Sequence, residues 1–160
     1  MENQPHAAFF ESAFSRLEVA RDFIDQMLPQ DVAQLLNFDT LTEDPGSFIS
    51  EELKAYYSDK LFRCKSRRGV EYQIATLLEH KSFQPDYPHF QLLRYKMGIW
   101  DEDFKNNRRP TQVIAIVLYH GKKPWKRKTM YDYFPKDFPL LRQTIPNFEF
   151  FVVDLNDFSD

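Results

Sequence analysis

Tyr72-Gln73-Ile74-Ala75-Thr76-Leu77-Leu78-Glu79-His80-Lys81-Ser82 begins as an apolar run long enough for a central β-strand and ends on an acid, an imidazole and an amine. Side chains alternate along a strand, so Glu79 and Lys81 are expected on one face and His80 on the other. Ser66-Arg67-Arg68-Gly69 reads as the hairpin loop leading into this strand. Lys60 to Lys65 and Phe48-Ile49 are β-compatible runs before it, and together they suggest a meander of about three strands. In an antiparallel hairpin the start of one strand lies beside the end of the next, which brings Asp59 to the edge of the sheet that carries Glu79. The two acids share a face only if opposed residue numbers sum to an even constant. That condition requires an odd-length loop around Arg67 to Gly69, or one bulge.

Upstream, Phe9, Phe10, Ala13, Phe14 and Leu17, then Ala20, Phe23, Ile24, Met27 and Leu28, recur at helical spacing until Pro29 stops the pattern. Asp31 is placed to cap a short third segment carrying Val32, Leu35 and Leu36, and Asp44-Pro45-Gly46 reads as a turn. Downstream, Phe90, Leu93, Met97, Trp100 and Phe104 mark an amphipathic helix. Val113 to Tyr119 and Phe148 to Val153 read as strands, the first covered on both faces. The expected architecture is an α/β domain with a central mixed sheet flanked by helices, helical over 6–37 and sheet-centred from about residue 46.

The 160 residues suit one domain, and sixteen Phe and eight Tyr against four Gly demand a core of large rings. A net charge of −3 excludes a globally basic nucleic-acid binder but leaves room for a local positive patch. Cys64, the only cysteine, excludes an internal disulfide and a cysteine zinc site, and fits a reducing, cytoplasmic setting. No apolar run approaches the ~18–20 residues of a membrane span, and Met1-Glu2-Asn3-Gln4-Pro5 lacks the basic start and apolar stretch of an export signal. The chain is therefore expected to be soluble, with no membrane partner.

Exposed acid–amine pairs are common, so Glu79 and Lys81 gain their interest from Asp59 beside them. Two carboxylates and one lysine at a strand end are what a hard divalent cation and a hydrolytic water need. The chemistry suggested is phosphodiester hydrolysis with Mg²⁺ or Mn²⁺. The His80 side chain should face away from the acids, while its backbone carbonyl is placed to ligate metal. Gln91 and Tyr95 stand one helical turn apart on the following helix, with Arg94 beside them, within reach of phosphate or the attacking water.

Phe14-Ser15-Arg16-Leu17-Glu18-Val19-Ala20-Arg21-Asp22-Phe23, Gly46-Ser47-Phe48-Ile49, Tyr57-Ser58-Asp59-Lys60-Leu61, Leu78-Glu79-His80-Lys81-Ser82, Leu92-Leu93-Arg94-Tyr95 and Ile116-Val117-Leu118-Tyr119-His120-Gly121 together resemble the Rpn family. These are recombination-promoting nucleases, also described as putative transposases, within the PD-(D/E)-x-K nuclease superfamily. The resemblance implies a Mg²⁺-dependent DNA endonuclease with Asp59 as motif aspartate, Glu79 as second acid and Lys81 as catalytic lysine. Gln91-Leu92-Leu93-Arg94-Tyr95 looks like the Q-x-x-x-Y element of RecB-like members. Ser58 stands where the superfamily name has proline, and Ala7 where the family usually has aspartate after His6. Relatives usually continue past the position of Asp160 into a helical C-terminal half, which is expected to be absent here.

Lys122, Lys123, Lys126, Arg127 and Lys128 surround Trp125, and Arg63, Lys65, Arg67 and Arg68 form a second basic cluster. Both are expected to flank the acids as a sequence-independent track for DNA phosphates. No recognition helix or zinc finger is visible, so low sequence specificity is expected. The same chemistry would serve an RNA-directed nuclease, and the same fold an idle binding module. Glu52 and His120 are weaker candidates, the first before Asp59 and the second closing the Val113 strand. Trp100, Phe104, Tyr131, Tyr133 and Phe134 exceed what one small core readily covers, suggesting a homodimer or an exposed aromatic patch.

Overall fold

The computed structural model describes residues 5–46, 48–137 and 139–158. Met1 to Gln4, Ser47 and Asp160, which entered the sequence reading, lie outside the described residues. The N-terminal part is helical, as the spacing predicts: α1 covers Pro5–Phe14, α2 Leu17–Met27 and α3 Gln30–Ala33. Pro29 rather than Asp31 occupies the N-cap of α3, because its φ of −52° is already near the helical range while its ψ of 141° is not.

The chain then enters a strand that the sequence reading did not anticipate, β1 over Leu36–Asp44, well before residue 46. Hairpin partners β2 (Tyr57–Ser66) and β3 (Glu71–Glu79) follow, then α4 (Pro88–Lys105), β4 (Gln112–Tyr119) and β5 (Phe151–Asp154). The five strands form one sheet in the order β1-β2-β3-β4-β5, antiparallel from β1 to β3 and parallel from β3 to β5. This is the α/β architecture with a mixed sheet flanked by helices that a PD-(D/E)-x-K nuclease-like core requires. Phe48-Ile49 is not a strand; the Phe48 backbone N–H instead donates to the Asp59 carboxylate at 3.1 Å. The meander exists, but its first strand is Leu36–Asp44.

Strand parity assigns the two faces. Even-numbered residues Phe62, Cys64, Ile74, Leu78, Ile116 and Leu118 pack with Phe14, Ala20 and Ile24 of the N-terminal helices. Odd-numbered residues Leu61, Ala75, Leu77, Ala115 and Val117 pack with Leu92, Tyr95 and Ile99 of α4. Both layers are closed by apolar burial, so the central strands have no solvent face and their sequences read as continuous apolar runs.

Part of the aromatic excess goes into this packing rather than to the surface. Trp100 is half-buried and donates its indole N–H to the Thr111 carbonyl at 2.8 Å. Tyr133 stacks edge-on with His89, 5.4 Å between ring centroids, and its hydroxyl lies 2.9 Å from His89 Nδ1. Phe104 does remain exposed. Burial lowers the His89 pKa below its usual 6.5, against a smaller opposing pull from Asp132. The unfolded chain therefore binds a proton at higher pH than the folded one, and stability present above the unfolded value is lost as pH falls toward the folded one. Thermal midpoints should drop between about pH 7 and about pH 5, and drop less in His89→Gln. Equal slopes in thermal melts of the two proteins would remove His89 as a cause.

Candidate active site at the shared strand ends

The loop of the β2–β3 hairpin decides where the acids point. Ser66 N–H bonds the Val70 carbonyl at 2.7 Å, which leaves Arg67, Arg68 and Gly69 as the turn, with Gly69 at φ 84°. A three-residue loop ending in a left-handed residue is odd in length. Pairing runs from Lys65↔Glu71 to Tyr57↔Glu79, so Asp59 opposes Leu77 and lies diagonal to Glu79 on one face. Diagonal neighbours in such a ladder have Cα atoms about 7–8 Å apart, close enough for two carboxylates to converge. That face is the one covered by α4.

A tyrosine stands beside each acid, but only Asp59 is bonded by one. Tyr95 is buried and donates its hydroxyl to Asp59 Oδ2 at 3.0 Å, beside the Phe48 N–H on the same oxygen. Tyr57, directly opposite Glu79, donates to Gln91 Oε1 at 3.0 Å, and its pKa is raised first by burial and then by the Glu79 charge beside it. Tyr95 therefore fixes the Asp59 carboxylate; with 1% of its surface exposed it cannot contact a nucleic acid. Tyr57 is not singled out by the sequence, although its parity with Asp59, two residues on, was a usable signal. Removing the Tyr95 hydroxyl in Tyr95→Phe takes one charge-assisted hydrogen bond from Asp59. It should lower stability by about 1–2 kcal/mol and weaken divalent-ion affinity, both measurable by thermal shift with and without Mn²⁺.

Glu79 is fully buried, and its environment is the least ordinary on this face. Oε1 accepts the Lys81 backbone N–H at 2.9 Å, whereas Oε2 has no hydrogen-bond partner among the described residues. Its pKa is raised to about 7, chiefly by burial, with the Lys81 N–H and neighbouring groups pulling the other way. The like charge of Asp59 is not among the causes that raise it. β3 ends at Glu79, so Lys81 leaves the strand and stands exposed beside the acid rather than on a regular strand position.

His80 does face away. Its N–H bonds the Tyr56 carbonyl at 2.7 Å and its Nε2 lies 2.7 Å from Ser58 Oγ on the opposite side of the sheet. Burial, then the nearby His120 and Lys81 charges, lower its pKa. His120 lies close enough to His80 for its charge to be felt there. Glu52 is exposed and ion-pairs with Arg94 at 3.6 Å, and both side chains are largely in solvent.

The two basic clusters fall at opposite ends. Arg67 and Arg68 sit in the hairpin turn, at ~3.3 Å per residue more than ~20 Å along β2 from Asp59. They do not flank the acids. Lys122 to Lys128 do lie at the acids' end, because β4 delivers them there and the loop is tied to the segment after Lys81. Lys122 N–H bonds the Ser82 carbonyl at 3.3 Å, and Lys126 and Gln84 exchange two bonds of 2.7 and 2.8 Å. A Cβ at Gly121 would collide with the Tyr119 ring, so only glycine lets the chain turn from β4 into this loop.

Among the described residues no group of three or more His, Cys, Asp or Glu side chains is assembled to hold a metal. No helix of the described residues is long and apolar enough to cross a membrane.

The family model described as “Putative transposase, YhgA-like” matches residues 4–160. Recombination-promoting nuclease RpnD of Escherichia coli O157:H7 is 36% identical over 126 residues, covering 76% of this chain and 48% of that protein. Recombination-promoting nuclease RpnA of Escherichia coli K12 is 30% identical over 118 residues, covering 73% of this chain and 40% of that protein. A K12 protein named as the inactive nuclease-like RpnE is 35% identical over 121 residues, 75% of this chain and 40% of its own. The chain thus spans less than half the length of these relatives. No solved structure matches. The match over nearly the whole chain places it in the YhgA-like transposase family, among relatives named as Rpn recombination-promoting nucleases.

Proposed function

We propose that the protein is a metal-dependent endonuclease that hydrolyses phosphodiester bonds in DNA with low sequence specificity. The observation that carries this reading is the pair of carboxylates at one strand end, Asp59 fixed by Tyr95 and Glu79 buried with an unpartnered oxygen. A buried carboxylate oxygen without a donor is costly unless a cation answers it. Mg²⁺ suits this donor set, since it is typically bound through one or two carboxylates and keeps several waters, so a third acidic side chain is unnecessary.

Asp59, Glu79 and the His80 backbone carbonyl are the groups that would hold Mg²⁺ or Mn²⁺. When bound, such an ion polarises phosphoryl oxygen and acidifies water. Lys81, exposed beside Glu79, offsets charge on the phosphate and orients the attacking water. Gln91, steadied by the Tyr57 hydroxyl, is available to the same water, and Lys122, Lys123, Lys126, Arg127 and Lys128 supply phosphate contacts that carry no base information. The relatives' names, recombination-promoting nucleases, agree with DNA as the substrate.

The test is incubation with supercoiled plasmid, linear DNA and RNA, each with Mg²⁺, Ca²⁺ or EDTA. Cleavage of both DNAs with Mg²⁺ and none with EDTA is expected. Cleavage confined to RNA would replace the substrate, and binding without turnover would leave a nucleic-acid-binding module.

A further inference from the structure

Beyond the acids' edge, a cavity of about 510 Å³ opens beside β5, lined by Trp125, His89, Phe148 and Phe150 with Arg127 and Lys128 at its lip. The rings are already ordered by one another: Trp125 meets Phe150 edge-on at 6.2 Å, and His89 meets Phe150 at 4.9 Å. Trp125 also packs against Tyr119, 5.1 Å away at the end of β4, so the cavity connects to the strand ends through the basic loop.

The charges on that loop are the second observation. Lys122, Lys123, Lys126, Arg127 and Lys128 form no ion pair among the described residues, whereas Lys60, Arg63, Arg94 and Arg108 are all matched to carboxylates. Of the acids on the cavity wall, Asp132 is answered by the Thr129 N–H and by Lys136. Glu149 is the other, and it forms no ion pair with Arg127 or Lys128 among the described residues. An unneutralised cation row ending in an aromatic cavity fits a polyanion that carries flat rings.

We propose that this cavity takes an unstacked base of single-stranded DNA whose phosphates follow Lys122 to Lys128 from the Asp59–Glu79 edge, a reading that rests on the nuclease function above. A base in a duplex has both faces covered by its neighbours and cannot enter. One in a single strand, frayed end or nicked flap can stack on Trp125 or a Phe ring, and every base has the π-face this needs.

The chain in EDTA would be titrated with a fluorescent single-stranded oligonucleotide and with the blunt duplex of the same sequence. The single strand should bind about tenfold tighter or more, and Trp125→Ala should erase most of that preference while leaving duplex affinity nearly unchanged. Arg127→Glu, at an exposed position, should weaken binding of both probes and flatten the salt dependence. Equal affinity for the two probes, or a folded Trp125→Ala with unchanged preference, would overturn the proposal. If Trp125→Ala does not fold, unchanged single-strand affinity in Arg127→Glu overturns it instead. Plasmid cleavage by the unaltered protein alongside such results would retire the cavity and keep the nuclease, whereas absence of both binding and cleavage in the unaltered protein would end the two readings together.

Discussion

Glu79→Gln should lower Mg²⁺-dependent plasmid cleavage by about 10²–10⁴-fold and, in EDTA above about pH 7, raise the thermal midpoint. The two effects share one cause. Glu79 is fully buried with one oxygen unpartnered, and its pKa is raised from 4.5 to about 7. A carboxyl whose folded pKa is raised is held more tightly as the acid in the folded state, so stability present below the unfolded value is lost as pH rises through the folded one. Glutamine has the same shape and no charge, and its relief is greatest on the alkaline side. A gain of about 1–2 kcal/mol corresponds to a few degrees for a domain of this size. Loss of stability together with activity would mark Glu79 as a structural residue instead. Asp59→Asn should lose ion binding before anything else, and Lys81→Ala should reduce turnover while ion affinity holds.

Asp103→Ala is expected to produce the opposite pattern. Asp103 is 1% exposed, and Oδ2 accepts Gln73 Nε2 and Thr111 Oγ1, each at 3.1 Å, and the Thr111 N–H at 3.3 Å. Oδ1 accepts Arg108 Nε at 3.1 Å. The network pins the last turns of α4 to the entrances of β3 and β4, at the end of the sheet remote from Asp59 and Glu79. Truncation leaves several donors without an acceptor, and Gln73 Oε1 is already unpartnered. A loss of about 3–5 kcal/mol follows, a fall of roughly 10 °C in thermal midpoint. Urea titration checks the magnitude, and Mn²⁺ affinity at low temperature, where the variant is folded, should be unchanged.

The sequence announces the buried strands and conceals the edge one. Ile74 to Leu78 and Val113 to Tyr119 are covered on both faces and so are apolar throughout except for Thr76, whose hydroxyl bonds the Lys60 carbonyl. Leu36-Asn37-Phe38-Asp39-Thr40-Leu41-Thr42-Glu43-Asp44 lies at the sheet edge, with its register broken between Asn37 and Thr42, and its alternation is blurred by that irregularity. The sequence states the condition for Asp59 and Glu79 to share a face, an odd-length loop or one bulge, and the Ser66–Val70 bond meets it, because a single odd turn fixes every pair behind it. Misplacing Arg67 and Arg68 had the reverse origin: residues close to Asp59 in sequence lie far from it once ten residues extend as β2. The cause of the raised Glu79 pKa was not legible either. Burial by α4 and Tyr57 is a property of packing, not of the E-x-K motif.

Mn²⁺ binding to the full chain, followed by electron paramagnetic resonance, tests the central claim that Asp59 and Glu79 form one cation site. One tightly held equivalent is expected, displaced by Mg²⁺ and lost in both Asp59→Asn and Glu79→Gln while circular dichroism stays native. Binding that survives in either folded variant, or none above the level of scattered surface carboxylates, would contradict it.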